Sequence, residues 1–261
     1  MQLLSVYRKL DPEKDSEEEE YVENLFDCLT CLVDEDAGKE KFVKGEGVEL
    51  MLIMLREATK FGKARALRVL DHALAGNRQL SGQPPTTGQP TGDDNGASVA
   101  CCERLVDSAG LRTIFGMFMK ARKHHQTLDE QENMEHLLGI FASLLHLLPH
   151  GVGEARIRVL AKFIENDYGK IEKLVALRRE YANKLEGVER EIDLEKKKRK
   201  SGEVEDDMEV EGYWLSRRLD GGLFVLQVFI YHLPFFSTFV CTDKYAPTVD
   251  RRNLGVARRR R

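Results

Sequence analysis

Apolar residues recur at helical spacing along most of the chain, as expected where one face of an α-helix is buried. The first clear segment starts at Ser16, which forms a capping box with Glu19. Glutamates at 17–20 fill its first turn and suit the positive end of the helix dipole. The apolar positions that predict its buried face are Tyr21, Val22, Leu25, Phe26, Leu29, Leu32 and Val33.

The strongest amphipathic pattern lies just before Pro149, which closes the helix. Its apolar positions are Met134, Leu137, Leu138, Phe141, Leu144, Leu145 and Leu148. Two shorter patterns at 48–58 and 63–75 predict a helical hairpin, and strand-like alternation is scarce. The fold class that follows is all-α.

A glycine-led unit occurs twice and indicates an internal repeat. Gly47 and Gly110 each stand just before an apolar helix that is followed by another helix. Subtracting an insertion of roughly 20 residues from their separation leaves about the 40–47 residues of an armadillo or HEAT unit. The sequence therefore predicts an armadillo/HEAT-like α-solenoid.

A long charged helix follows the repeats. From Ile171 to Ile192 the a and d positions of successive heptads are apolar, except for Arg178. Such a seam packs against one partner helix, either in this chain or in a second copy, and packing on the chain's own solenoid is the favoured interpretation. A homo-oligomer stays open as the alternative.

Composition shifts give the predicted boundaries. Residues 76–98 are rich in Gly, Pro, Thr and Asn, so they predict a flexible insertion with too little apolar surface to order. The predicted segments are armadillo-like helices at 3–75 and 99–164, the long helix at 165–200, an acidic linker at 201–212, a terminal solenoid helix at 213–233 and a disordered tail at 234–261.

Charge and cysteine content narrow the function. A net charge of −4 argues against a protein that coats nucleic acid, and five cysteines without a disulfide pattern favour a reducing compartment. Cys28 and Cys31 form a C-x-x-C in mid-helix with no second pair, so we interpret them as buried structural cysteines. No catalytic, cofactor-binding or metal-binding motif is present, and the prediction is a non-enzymatic protein without a cofactor.

Two adjacent charged runs are the candidate contact sites. The basic run, at the end of the long helix, matches a simple nuclear-import pattern and equally the solvated end of a helix: Lys196, Lys197, Lys198, Arg199 and Lys200. The acidic run after it could contact basic peptides: Glu203, Glu205, Asp206, Asp207, Glu209 and Glu211.

An alternative function rests on residues 221–242, which contain no Asp, Glu, Lys or Arg and precede a basic tail. A segment of that length could span a bilayer and tether a helical adaptor to a membrane. Polar residues dilute its apolarity, and Gly222 leads an apolar run like the earlier solenoid helices. The solenoid helix is therefore the favoured interpretation, and no membrane is expected.

Several short segments, taken in order, resemble the C-terminal half of the beta-catenin-like protein 1 family. These segments are LSVY at 4–7, EEEE at 17–20, ENLFD at 23–27, KGEG at 44–47, MLRE at 54–57, VLDHA at 69–73, GLRTIF at 110–115, ASLL at 142–145, FIEND at 163–167 and RRLDGGLFVLQ at 217–227.

The resemblance implies an armadillo-type scaffold in the nucleus that takes part in pre-mRNA splicing. The partners it implies are proteins of the spliceosomal NineTeen complex, including a Myb-like component whose basic localisation sequence the family binds. It carries over no catalytic residues, and no direct nucleic-acid contact is expected. Two departures are expected from it: repeats that the family has before Leu3 are missing, and residues 228–261 do not match.

Overall fold

The computed structural model describes residues 1–76, 95–121, 128–149, 153–199 and 207–231, and all regular structure in them is α-helical. The predicted all-α class is confirmed. In chain order the helices are α1 (Gln2–Val6), α2 (Glu17–Asp34), α3 (Asp36–Lys44), α4 (Gly47–Glu57), α5 (Lys60–Leu74), α6 (Gly96–Asp107), α7 (Gly110–Lys120), α8 (Leu128–Leu147), α9 (Glu154–Ile164), α10 (Gly169–Arg199), α11 (Asp207–Asp220) and α12 (Leu223–Tyr231).

Helices α3–α4–α5 and α6–α7–α8 are two copies of one unit. In both, the residue before the second helix adopts a left-handed conformation, Glu46 at φ 57° and Ala109 at φ 56°. The units stack in register, with α3 against α6, α4 against α7 and α5 against α8, while α2 packs on α5. The predicted solenoid is confirmed in these residues.

The capping box of α2 is confirmed, but its predicted buried face is partly wrong. The Glu19 backbone N–H donates to Ser16 Oγ (3.2 Å), as the capping box requires. Tyr21 and Leu32, however, are 47% and 61% exposed. They lie about three turns apart on one face, and that face turns away from α5, which covers Val22 and Phe26 on the other side.

The core centres on four aromatic rings where α7, α8 and α9 meet. Phe141 lies 4.7 Å from Phe115, 5.3 Å from Phe118 and 5.4 Å from Phe163, measured between ring centroids. Tilted and edge-on rings at these distances attract each other beyond the apolar area that they bury. Every apolar position predicted for residues 134–148 is buried.

Helix α10 packs within its own chain, against α9, α11 and α12. Ile171, Leu174, Tyr181 and Ile192 on the predicted seam are buried, and Leu185 is half-buried. Two arginines tie α11 to the outer side of α10: Arg217 bonds Glu191 (2.7 Å) and Glu195 (2.6 Å), and Arg218 bonds Glu189.

Three predicted boundaries are wrong. Residues 213–233 do not form one helix, because a turn at residues 221–222 separates α11 from α12. Gly222 has φ +95°, and the ring of Tyr181 leaves no room for a Cβ there. Residues 207–212, predicted as acidic linker, are the start of α11. Residues 96–98, predicted as insertion, start α6, with Ser98 buried; residues 77–94 lie outside the described part.

Basic side chains from other helices close the C-terminal ends of six described helices. A helix leaves its last four carbonyl groups without partners in the helix, and these side chains donate to them. Lys39 closes the end of α5, Arg158 that of α6, Lys173 that of α7, Arg156 that of α8, Lys170 that of α9 and Lys184 that of α11.

Lys39 is the most buried of these cations, with 2% of its surface exposed. Its Nζ donates to the Ala75 carbonyl and to Ser98 Oγ (2.8 Å), and Ser98 Oγ in turn donates to the same carbonyl (2.8 Å). Burial lowers the pKa of Lys39, although nearby acidic groups oppose the shift. The three residues join α3 to both ends of the segment between α5 and α6.

Helices α5 and α8 meet through Asp71. Its Oδ2 lies 2.9 Å from Nδ1 of His136, and its carboxylate lies against the backbone of Gly139. A Cβ at residue 139 would overlap this carboxylate, so glycine is what permits the close approach.

We expect Gly139→Ala to lower the free energy of unfolding by about 1–3 kcal/mol, because the added methyl group displaces a buried carboxylate. Urea denaturation measures the change. Gly187→Ala on α10 is the matched control, since its Cβ would meet open space; there the higher helix propensity of alanine should be neutral or raise stability by up to about 1 kcal/mol. Equal effects of the two substitutions would contradict the close approach.

Lys39→Met tests the buried ammonium through pH. With a folded pKa below the unfolded value of 10.5, the unfolded chain binds more protons between the two values, so the Lys39 contribution to stability rises with pH. The wild-type free energy of unfolding minus that of Lys39→Met should therefore become more favourable to wild type as the pH rises toward 10.5. Lys41→Met, exposed on the same helix, is the control. A difference in unfolding free energy that does not change with pH would contradict a Lys39 pKa lowered by burial.

Candidate protein-binding groove

A groove of about 770 Å³ runs along α5, between α2 on one side and α7 and α8 on the other. Its size falls within the range of binding sites, about 300–1,000 Å³. The lining residues are Glu23, Asp27, Lys60, Phe61, Lys63, Ala64, Arg65, Arg68, Met117, Lys120, Ala121, Glu130, Glu132, Asn133, Met134, His136 and Leu137.

The wall between α2 and α5 is held by pairs of opposite charge. Arg65 bonds Glu23, and Arg68 bonds Asp27 at 3.1 Å. One turn beyond the groove lining, His72 Nδ1 lies 2.8 Å from Asp34 Oδ1. The repeated pairing fixes the register of the two helices. It also places an arginine against each of the two α2 carboxylates that line the groove.

The floor of the groove is apolar. Phe61, Met117 and Ala121 are half-buried and pack against the core while still lining the groove. The guanidinium carbon of Arg65 lies 3.6 Å from the centroid of the Phe61 ring, in cation–π contact, and so shields part of that ring from water.

Three lysines supply the remaining positive charge. Lys60 and Lys63 lie on the first turn of α5, and Lys120 ends α7. Within the residues that the structure describes, none of the three pairs with a carboxylate. On the opposite wall Glu130 is engaged in an interaction inside the chain, and Glu132 is exposed. The unpaired charge of the groove is therefore mainly positive.

The predicted basic run begins on the last turns of α10. Lys196 and Lys197 are exposed, and Lys196 Nζ lies 5.9 Å from the centroid of the buried Trp214 ring. Lys198 and Arg199 continue the helix, and Lys200 lies outside the described residues. The run is therefore on a helix end rather than in an extended segment.

The predicted acidic run is split by the start of α11. Glu203, Glu205 and Asp206 fall outside the described residues, while Asp207, Glu209 and Glu211 lie on α11. Glu211 is exposed. Glu211, the member of the run whose side chain the structure describes, is not among the groove-lining residues.

The interpretation of Cys28 and Cys31 as buried is wrong, because both are exposed. Cys28 lies about two turns from Tyr21, on the face of α2 that turns away from α5. Cys101 and Cys102 are the buried ones: burial raises the pKa of Cys101 to about 11 and raises that of Cys102 further. In the described part of the chain, no group of three or more His, Cys, Asp or Glu is placed to hold a metal.

The segment proposed as a membrane anchor begins at the turn before α12, which has nine residues. Among the described residues, no helix has both the length and the apolarity to cross a membrane. Residues 232–242 of that segment lie outside them.

Sequence reasoning missed the groove. Its lysines occupy the polar face of α5 and the end of α7, where a lone sequence predicts only solvated charge. The available signal was that Glu23 and Asp27, like Arg65 and Arg68, lie about one helical turn apart, which allows the two pairs to meet once α2 and α5 are known to be neighbours.

A family model described as "Catenin-beta-like, Arm-motif containing nuclear" matches residues 1–246. The expectation that residues 228–261 fall outside the family is therefore wrong for 228–246; the short motifs that suggested the family thin out there, but the match continues.

Individual relatives agree. The chain is 40% identical over 245 residues to Beta-catenin-like protein 1 of Mus musculus, covering 92% of this chain and 38% of that protein. Identity to the Homo sapiens protein of that name is 40% over 244 residues, with the same two coverages. Identity to the Schizosaccharomyces pombe homolog is 34% over 226 residues, covering 86% of this chain and 33% of that protein. The chain thus spans well under half the length of these relatives, and on the extent of the match it belongs to the Catenin-beta-like, Arm-motif containing nuclear family.

Proposed function

We propose that this chain is part of a nuclear armadillo-type scaffold that takes part in pre-mRNA splicing by binding proteins of the spliceosomal NineTeen complex. It has no catalytic role in this proposal. The observation that carries it is the groove along α5, built by two stacked repeats in a chain whose family description is Arm-motif containing and nuclear.

The physical basis is the surface that stacked helices create. Each repeat contacts its neighbours, so one face of the stack stays continuous and available to a partner segment. Along this face the groove offers half-buried apolar side chains together with charged groups, which is the mixture that protein interfaces use for affinity and register.

The Myb-like partner with a basic localisation sequence needs acidic contacts. The acidic run at residues 203–211 is the proposed site, with Glu211 exposed at the start of α11. Here opposite charges would speed encounter and set the register of the bound segment. The basic run at residues 196–200 has a separate proposed role in nuclear import.

Affinity purification from nuclear extract tests the scaffold. The chain should recover NineTeen-complex proteins, and Ala64→Trp should lose those that bind in the groove because its indole would fill it, while the Myb-like component proposed to bind the acidic run is retained. Ala37→Trp, exposed on α3, is the matched control and should behave as wild type. Recovery by Ala64→Trp at the wild-type level would place the contact elsewhere, and no recovery by any form would refute the scaffold role.

Import by the basic run is tested in cells with a fluorescent fusion too large to diffuse through nuclear pores. Replacing residues 196–200 by alanine should move the fusion to the cytoplasm, because the run supplies the clustered positive charge. Replacing Lys14 and Lys41, which are exposed elsewhere, should leave it nuclear. A fusion that stays nuclear without the run would show that another signal acts.

A further inference from the structure

We propose that the groove along α5 binds an acidic segment of a partner protein, with Lys60, Lys63 and Lys120 holding its carboxylates and the floor holding an apolar side chain. This rests on the proposed function only in using the groove as a protein-binding surface. It names a partner chemistry opposite to the basic localisation sequence.

The arginines and the α2 carboxylates in the groove lining balance each other's charge. The arginines have their partners, because Arg65 bonds Glu23 and Arg68 bonds Asp27. A paired carboxylate offers little attraction to a second cation, since its charge is already balanced at contact distance. The α2 wall therefore contributes almost nothing to the binding of a basic segment.

The three lysines have no such balancing partner among the described residues. They line one groove from two different helices, and none pairs with a carboxylate of the described residues. Several like charges around one concave surface raise the local potential and concentrate ligands of the opposite sign. Glu130 and Glu132 on α8 together do not offset three ammonium groups.

The apolar floor of the groove determines which residues the bound segment carries besides its acidic ones. Phe61 and Met117 are only partly covered by the chain. Covering them removes apolar surface from water, at about 25 cal/mol per Å². Lysine side chains are flexible point charges without a fixed fork, so they suit carboxylates at several positions along a segment rather than one rigid geometry. A short segment with one or two large apolar residues between Asp or Glu residues fits both features.

A uniformly basic segment is disfavoured at the same place. Its cations would face the three lysines at close range, and like charges brought together at an interface repel each other. The acidic and basic ligands of this scaffold are thus assigned to separate surfaces, the groove and the α11 end.

The test uses the full chain and short fluorescein-labelled peptides that share a central Leu-Phe pair, flanked by Glu, Lys or Ser. Fluorescence anisotropy should give a dissociation constant at least about tenfold lower for the Glu peptide than for the Lys or Ser peptides. Added salt should weaken the binding, because exposed charges are screened. Equal binding of the three peptides, or preference for the Lys peptide, would overturn the proposal.

A charge-matched pair of variants locates the site. Lys60→Glu/Lys63→Glu/Lys120→Glu should weaken binding of the Glu peptide by at least about tenfold. Lys14→Glu/Lys41→Glu/Lys197→Glu changes the net charge equally at exposed positions outside the groove and should bind nearly as wild type. Thermal unfolding by circular dichroism checks that both are folded. An equal loss of Glu-peptide binding in both variants would mean attraction by bulk charge and would refute a groove site. The proposed scaffold role would not be affected by that result, because recovery of NineTeen-complex proteins from nuclear extract tests it separately.

Discussion

Closure of helix ends by cations from other helices is the constraint on which the rest of this structure depends. The solenoid is built mostly from short helices, so a large share of its backbone carbonyls lies in last turns, where the helix offers no partner. Lys39, Arg156 and Lys173 donate to such carbonyls from a different helix. Each bond satisfies an acceptor, opposes the negative end of a helix dipole and joins two elements at once.

This constraint extends to the groove. Lys173 Nζ, from α10, bonds the carbonyl oxygens of Phe118 (2.6 Å) and Ala121 (2.6 Å), on either side of Lys120. The long helix therefore fixes the end of α7 and, with it, one of the three groove lysines. A helix whose sequence suggests only a coiled-coil seam thus also positions one wall of the groove, three helices earlier in the chain.

What the sequence could predict follows from which features are local. The seam of α8 was readable because helical period and burial coincide there, and the capping box of Ser16 because it spans only four residues. The exposure of Tyr21, Leu32 and Cys28 was not readable, since it depends on which side of α2 receives a neighbour. Predicting the break at Gly222 required knowing that the ring of Tyr181 packs there, and predicting the groove required knowing that α2 pairs with α5.

Charge, rather than shape, distinguishes the surfaces of this solenoid from one another. Stacking fixes the apolar face of every helix, so only the outward positions are free to differ between repeats. On α2 and α5 those positions hold ion pairs such as Arg68 with Asp27. These pairs set the register of the two helices and leave little net electrostatic potential. Lys60 and Lys63, at the start of α5, lie outside that pairing. Because exposed lysines are solvated in the absence of a ligand, keeping them unpaired costs the fold little. A partner that brings carboxylates to them completes the pairing that the repeat itself leaves open.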